Sequence, residues 1–435
     1  MTDPAGSPDV GFWRTRRWWV MAGRASAGVY VATGLSFLAT LVAARTLAPS
    51  GFGALELAVV AVGGVATFLD FSLEEAVVHH GARALAVGDV AGLRGLVRMS
   101  AGIDVAIGAG VAAVLFAFAS SVGDLVSSGS LPPNLVRLAA VEVLVVTANG
   151  TTGAVLVVGG RAHLRAWSSA VASGARLAGV AVAASVDAGP VGVLAGLVAG
   201  SALGSVAQLA WSRRTGDRLW GTTPPARSHV PAGDIVRFGF HSSATTTLIA
   251  LRVALVSVVL GRTLGPEAVA VFAVAMFPVA LVDVASSPLR LLMIPEQASL
   301  AARGRRDVIW EGLVAYGRAA AIVGLIGAAV GWFALPGVLP FLYGSAYDAA
   351  IDPARALVLA GFAALVTAWA KALPAAIGRP AVRTAMSTAE LAVTVGAVLL
   401  VYEHGVTPVA WAVSAVAAAA SVAWWALARR ILQRT

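Results

Sequence analysis

Apolar runs of about 20 residues recur along nearly the whole chain, and each is long enough to cross a hydrocarbon layer of about 30 Å. A water-soluble fold of 435 residues could not hide that many. The composition agrees: 58% of residues are hydrophobic and only 12% charged, against about 25% charged in a soluble domain. A soluble helical repeat protein would keep a polar face on each helix, and these segments mostly have none. The fold class predicted is therefore all-α, a polytopic membrane protein.

Twelve spans are predicted, at roughly 18–44, 52–78, 99–121, 135–158, 166–186, 190–211, 235–260, 267–291, 313–335, 354–376, 382–402 and 407–428. Turn residues separate them, as at Pro132-Pro133, Pro224-Pro225 and Gly378-Arg379-Pro380. The arginines test this count. The N-terminal tail carries Arg14, Arg16 and Arg17, and every second loop after it is basic: Arg83, Arg94 and Arg98; Arg161 and Arg165; Arg213, Arg214, Arg218 and Arg227; Arg303, Arg305 and Arg306; Arg379 and Arg383. The C-terminal tail has Arg429, Arg430 and Arg434, while the alternate loops carry only Arg45 and Arg262. A missed span would scramble this alternation. Basic loops belong on the cytoplasmic side, so both termini are expected in the cytoplasm, with the chain in the inner (plasma) membrane. The same loops explain the net charge of +9, which is expected to face anionic lipid headgroups rather than nucleic acid. No short apolar core with a small-residue cleavage site opens the chain, so span one is expected to act as its own insertion signal.

Arg45-Thr46-Leu47-Ala48-Pro49 follows span one, and Arg262-Thr263-Leu264-Gly265-Pro266 follows span seven, half the chain later. This is an internal repeat. Six spans is an even number, so both halves enter the membrane from the same side. An axis along the membrane normal should relate them, with a substrate site in a central cavity between them near mid-bilayer. The expected organisation is a tail at 1–17, a six-helix bundle at 18–211, a linker at 212–234, a second bundle at 235–428 and a tail at 429–435.

The first repeat motif, extended through Pro49-Ser50-Gly51-Phe52-Gly53, resembles the segment after helix one in the polysaccharide flippases of the Wzx type. Those belong to the multidrug/oligosaccharidyl-lipid/polysaccharide exporter superfamily. Phe68-Leu69-Asp70-Phe71-Ser72-Leu73 is similar to that family's end of helix two, with Ser72 where glycine is usual. Pro295-Glu296-Gln297-Ala298-Ser299-Leu300 resembles its end of helix eight, and Leu339-Pro340-Phe341-Leu342-Tyr343-Gly344-Ser345-Ala346-Tyr347 its outer loop between helices nine and ten. The resemblance implies a monomeric transporter that flips an oligosaccharide linked to a polyprenyl pyrophosphate from the inner to the outer leaflet. It makes glycosyltransferases and a polysaccharide polymerase candidate partners. A cation-coupled exporter of drugs or other small molecules is the alternative, because a shared fold does not decide the cargo.

A pyrophosphate crossing hydrocarbon needs counter-charge, best supplied by arginine with its planar fork of donors. Arginine at mid-membrane depth costs about 2.5–3.5 kcal/mol on insertion scales, yet Arg252 lies inside span seven and Arg176 near the middle of span five. At about 100° per residue His241, Thr245 and Arg252 share one face of span seven, expected to line a wet, positively charged chamber between the halves. The competing reading pairs Arg252 with Glu390 or Glu142 for packing alone. Arg24, early in span one, is a candidate at the cytoplasmic mouth, although Ser26, Tyr30, Thr33 and Thr40 form a polar stripe on the opposite face. Asp70 and Glu74 near the end of span two, and Asp283 and Arg290 near the end of span eight, are candidate gate residues. Asp104 and Glu390 are candidate coupling carboxylates, and Lys371, near the end of span ten, is expected at the interface. No cysteine, GxxxxGK[ST] loop, HExxH or GxSxG element occurs, and the outer loops are short, so neither an ATPase nor a membrane glycosyltransferase or ligase is expected. No cofactor or metal is called for.

Overall fold

A backbone in lipid must satisfy its own hydrogen bonds, so apolar runs of this length fold as helices. The computed structural model describes residues 16–69, 73–226 and 230–433, without the side chains of 16–26, 68–69, 239–243, 245–246, 287–296, 298–299 and 302. In the first half it contains α1 (Arg16–Thr46), α2 (Pro49–Leu69), α3 (Leu73–Ala86), α4 (Val90–Ala117), α5 (Ala119–Ser127), α6 (Pro133–Val146), α7 (Asn149–Val158), α8 (Ala162–Ser185) and α9 (Gly189–Trp220). The second half has α10 (Ala232–Thr263), α11 (Pro266–Ala275), α12 (Phe277–Ala302), α13 (Arg306–Tyr343), α14 (Ile351–Ala376), α15 (Pro380–Val401) and α16 (Val406–Gln433).

The chain is a multi-pass membrane protein. Among the described residues nine helical segments are long and apolar enough to cross a membrane, or ten when α11 and α12, bent by 41° at their junction, count as one span. The α6–α7 pair is likewise one interrupted span. Two further helices, α8 with 24 residues and α10 with 32, are long enough to cross and complete the twelve. These two carry the intramembrane arginines.

On the arginine-rich side, four turns close the same way. After α3, α7, α12 and α14 the chain passes through Gly88, Gly160, Gly304 and Gly378, each at positive φ. The next residue returns its N–H to the helix: Asp89 to Ala84 at 2.9 Å, Arg161 to Leu156 at 2.7 Å, Arg305 to Leu300 at 3.0 Å and Arg379 to Pro374 at 2.7 Å. This left-handed cap satisfies carbonyls that the helix end leaves open. The Gly-Arg dipeptides that look like mere loop charge are thus helix stops.

Small residues set the packing within the first half. A Cβ on Gly196 of α9 would lie 2.5 Å from the Gly179 carbonyl carbon of α8, and one on Gly200 would lie 2.3 Å from the Arg176 amide nitrogen. Backbones this close are the usual means of holding helices together in lipid. The halves meet where α2 packs on α10 and α11. There Gly53 lets the Pro266 carbonyl approach so closely that a Cβ would sit 1.7 Å from its oxygen. On the arginine-rich side the start of α10 packs on α3 and α4, burying Leu73, Ala76, Leu96 and Ile235 together.

Candidate functional site

In the second half, four helices converge on one carboxylate. Glu390 of α15 has a side chain only 8% exposed. It accepts from the Arg252 guanidinium of α10, and the Lys371 ammonium of α14 lies 3.1 Å from both its oxygens. The indole N–H of Trp424, on α16, donates to it at 3.3 Å. The Lys371 ammonium also stands 5.9 Å from the centre of the Trp424 ring, within cation–π range. Arg383, one face-repeat earlier on α15, lines the same space. A buried cation without a counter-ion is costly, and a carboxylate shared between two of them lowers that cost. Glu75 of α3 lies within electrostatic reach of Arg383. Three cations against two carboxylates still leave an excess of positive charge, and Arg252 and Lys371 retain donors that Glu390 does not occupy.

Two cavities adjoin this cluster and share Arg252, Lys371 and Glu390. One, of about 30 Å³, reaches Arg383 and Ser387. The other, of about 80 Å³, is walled by apolar side chains that include Phe272, Met276 and Leu357. Either has room for water. Chemically the arrangement can receive an anion: fixed donors at a protein-lined position, facing a space that is otherwise mostly apolar.

The first half holds a different, larger cavity of about 590 Å³. Its walls carry Glu74, Asp104, Glu142, Arg165 and Arg176. Arg165 meets Glu74 at 2.6 Å. Arg176 meets Glu142 at 2.5 Å and Ser201 at 2.8 Å. The span-four interruption between α6 and α7 exposes the first N–H groups of α7, and Asp104 of α4 takes them: its carboxylate accepts from the Thr151 hydroxyl at 2.5 Å and the Thr151 N–H at 3.3 Å. A carboxylate at a helix N-terminus is favoured by both the open donors and the dipole. Gln208 extends the polar wall, donating to the Asn149 carbonyl at 2.6 Å and accepting from Ser168 at 2.8 Å.

Several sequence expectations change here. Arg252 and Arg176 do not share a positive chamber between the halves. Each lies in its own half with its own carboxylate, because desolvating a guanidinium favours the nearest available counter-charge. Of the cavities described, those in the second half are lined by more cations than carboxylates, and the first-half cavity by more carboxylates than arginines. Lys371 turns inward to Glu390, on a helix that packs among α11, α12, α13 and α16. Glu74 pairs with an arginine, Arg165, and so ties α3 to α8 within the first half. Asp283 lies on an exposed face of α12. Asp70 lies outside the described residues, as do the side chains of Arg24, His241, Thr245 and Arg290. Arg165 and Arg383, counted as loop charge, sit in the first turns of α8 and α15 and face cavities. For Arg383 a signal existed: Arg383, Ser387, Glu390 and Thr394 recur at helical spacing and line the second-half cavities.

The sequence model of the family described as "Polysaccharide biosynthesis protein" matches residues 24–295, more than half the chain. No curated protein matches the sequence. Among solved structures, an inward-facing multidrug resistance MATE family transporter of the MOP superfamily is similar at TM-score 0.74 and 15% identity, over 92% of this chain and 95% of that one. A MOP superfamily transporter from Pyrococcus furiosus, described as having a binding pocket of reversed polarity, matches at 0.68 and 16% identity over 95% of both chains. An outward-facing MATE family transporter matches at 0.66 and 15% identity, covering 95% of this chain and 96% of that one. At such identities these likenesses establish a shared fold.

Proposed function

The chain belongs to the polysaccharide biosynthesis protein family, and on that premise we propose that this membrane transporter is a flippase for a glycan linked to a lipid pyrophosphate. The observation that carries the reading is the group of Arg252, Lys371 and Arg383 around Glu390, within the membrane-spanning bundle. A pyrophosphate entering the second half takes the unused donors of these cations while Glu390 keeps the empty site neutral enough to stay folded. The polar first-half cavity, with its carboxylates, amide and hydroxyls, suits sugar hydroxyl groups. The arginine-rich side is the cytoplasmic side in this reading, with both termini there and transport directed outward across the inner membrane. The opposite side, where α2 meets α11, is then the outer side.

The membrane potential drives such a cargo. Moving two negative charges outward gains about 4–5 kcal/mol per 100 mV, so no proton or sodium gradient is required. In reconstituted vesicles, a fluorescent saccharide on a prenyl pyrophosphate is expected to reach the opposite leaflet with the potential alone. A strict requirement for a cation gradient at fixed potential would contradict this.

One observation favours a second reading: the first-half cavity is lined by three carboxylates and two arginines, a balance that suits a cationic cargo. Efflux of ethidium from the same vesicles separates the two. Ethidium transport without pyrophosphate-glycan transport would replace the flippase by a drug exporter.

A further inference from the structure

The two repeat motifs perform the same task in opposite directions on the outer side. Arg45, in the last turn of α1, reaches into the second half. Its Nε donates to the Leu342 carbonyl at 2.6 Å and its terminal nitrogen to that of Phe341. Both carbonyls belong to the last turn of α13, where no intrahelical donor remains for them. Arg262, in the last turn of α10, reaches into the first half and donates to the Leu125 carbonyl at 2.6 Å. Leu125 lies in the last turn of α5. In each case a guanidinium meets the negative end of a helix dipole.

Each joint is also tied from the far side. Tyr347, just beyond α13, donates its hydroxyl to the Ala44 carbonyl at 3.0 Å. Ser128, just beyond α5, donates its own to the Arg262 carbonyl at 3.0 Å. Arginine reaches forward and a hydroxyl reaches back, once in each direction across the seam.

We infer that Arg45 and Arg262 form a paired latch that holds the outer side of the transporter closed. This goes beyond the cargo reading and holds whatever is carried. Three features make the contacts a latch rather than a permanent weld. Both arginines are exposed at helix ends, where headgroup oxygens or water can replace a carbonyl, so their donors exchange one partner for another at little cost. Their acceptors are backbone carbonyls at helix ends, so release leaves no buried carboxylate without its counter-charge. The joints also occupy equivalent places in the two repeats, so a rocking motion that parts the halves on this side opens both together.

Removing one arginine is expected to raise the ratio of outer-open to outer-closed molecules about 10-fold, and removing both about 100-fold if the joints act independently. The chain has no cysteine, so spin labels can be placed without background at Ser185→Cys and Glu403→Cys. These positions are exposed, one near an outer-side turn of each half. In nanodiscs, pulsed electron paramagnetic resonance should give a short distance for the otherwise unaltered protein. A longer population should grow in Arg45→Ala and Arg262→Ala, and dominate in the double variant. Arg45→Lys, which keeps a donor, should fall between. Gly53→Leu leaves both arginines in place but cannot fit against the Pro266 carbonyl, so it forces the outer side apart by another route. If Gly53→Leu lengthens the distance while the double arginine variant keeps the original distribution, the latch is overturned.

Discussion

Arg252→Ala is expected to lower the initial rate of glycan-lipid translocation about 100-fold while leaving the folded state nearly intact. The size follows from truncating one partner of a buried charge-assisted contact, worth about 2–5 kcal/mol, at about 1.4 kcal/mol per tenfold. The fold survives because Glu390 keeps Lys371, 3.1 Å from both oxygens, and the Trp424 N–H. Arg252→Lys should recover part of the rate, leaving a loss of about 10-fold, since lysine supplies charge without the paired donors of a planar fork. Rates in vesicles, read beside thermal unfolding in detergent, check both parts. Full rescue by lysine would mean that a point charge suffices.

Glu390→Ala has the opposite signature. It removes the carboxylate between Arg252 and Lys371, leaves the Trp424 N–H without its acceptor, and strands two cations that are each about 30% exposed or less. Breaking a buried pair from one side costs about 3–5 kcal/mol, so a large fall in unfolding temperature is expected, with activity lost through instability. Adding Lys371→Met should recover much of that stability, because the excess charge is then reduced. A Glu390→Ala protein as stable as the parent would show that the cluster is hydrated rather than enclosed.

The architecture could be read from the sequence because the bilayer imposes a coarse rule. Blocks of about 20 apolar residues and alternating loop arginines need no knowledge of which side chains touch. The site needs that knowledge. Lys371 illustrates the gap: nearness to a helix end says nothing about which neighbour the side chain turns toward, and α14 is surrounded. The stripe Arg383, Ser387, Glu390 and Thr394 was available as a period in the sequence, yet Arg383 looked like topology signal because basic residues near a turn usually are. Asp104 shows the harder case. Its task, holding the start of α7, depends on an interruption of span four and on Thr151, 47 positions away. The pairing of Arg176 with Glu142 likewise joins residues that only the bundle brings together, whereas Arg252 with Glu390 was one of two partners the sequence offered. Arg45 and Arg262 were legible as a repeat but not as contacts, since their acceptors are backbone carbonyls that no sequence pattern marks.

A purified-protein binding measurement, with farnesyl pyrophosphate as the probe and farnesol as the uncharged control, asks most directly whether the second-half cations receive the pyrophosphate. The Arg252→Ala/Arg383→Ala double variant should bind farnesyl pyrophosphate at least about 100-fold more weakly than the parent, with farnesol unchanged and Arg176→Ala close to the parent. Equal binding by the double variant, or binding lost through Arg176→Ala instead, would place the anion elsewhere and contradict the account.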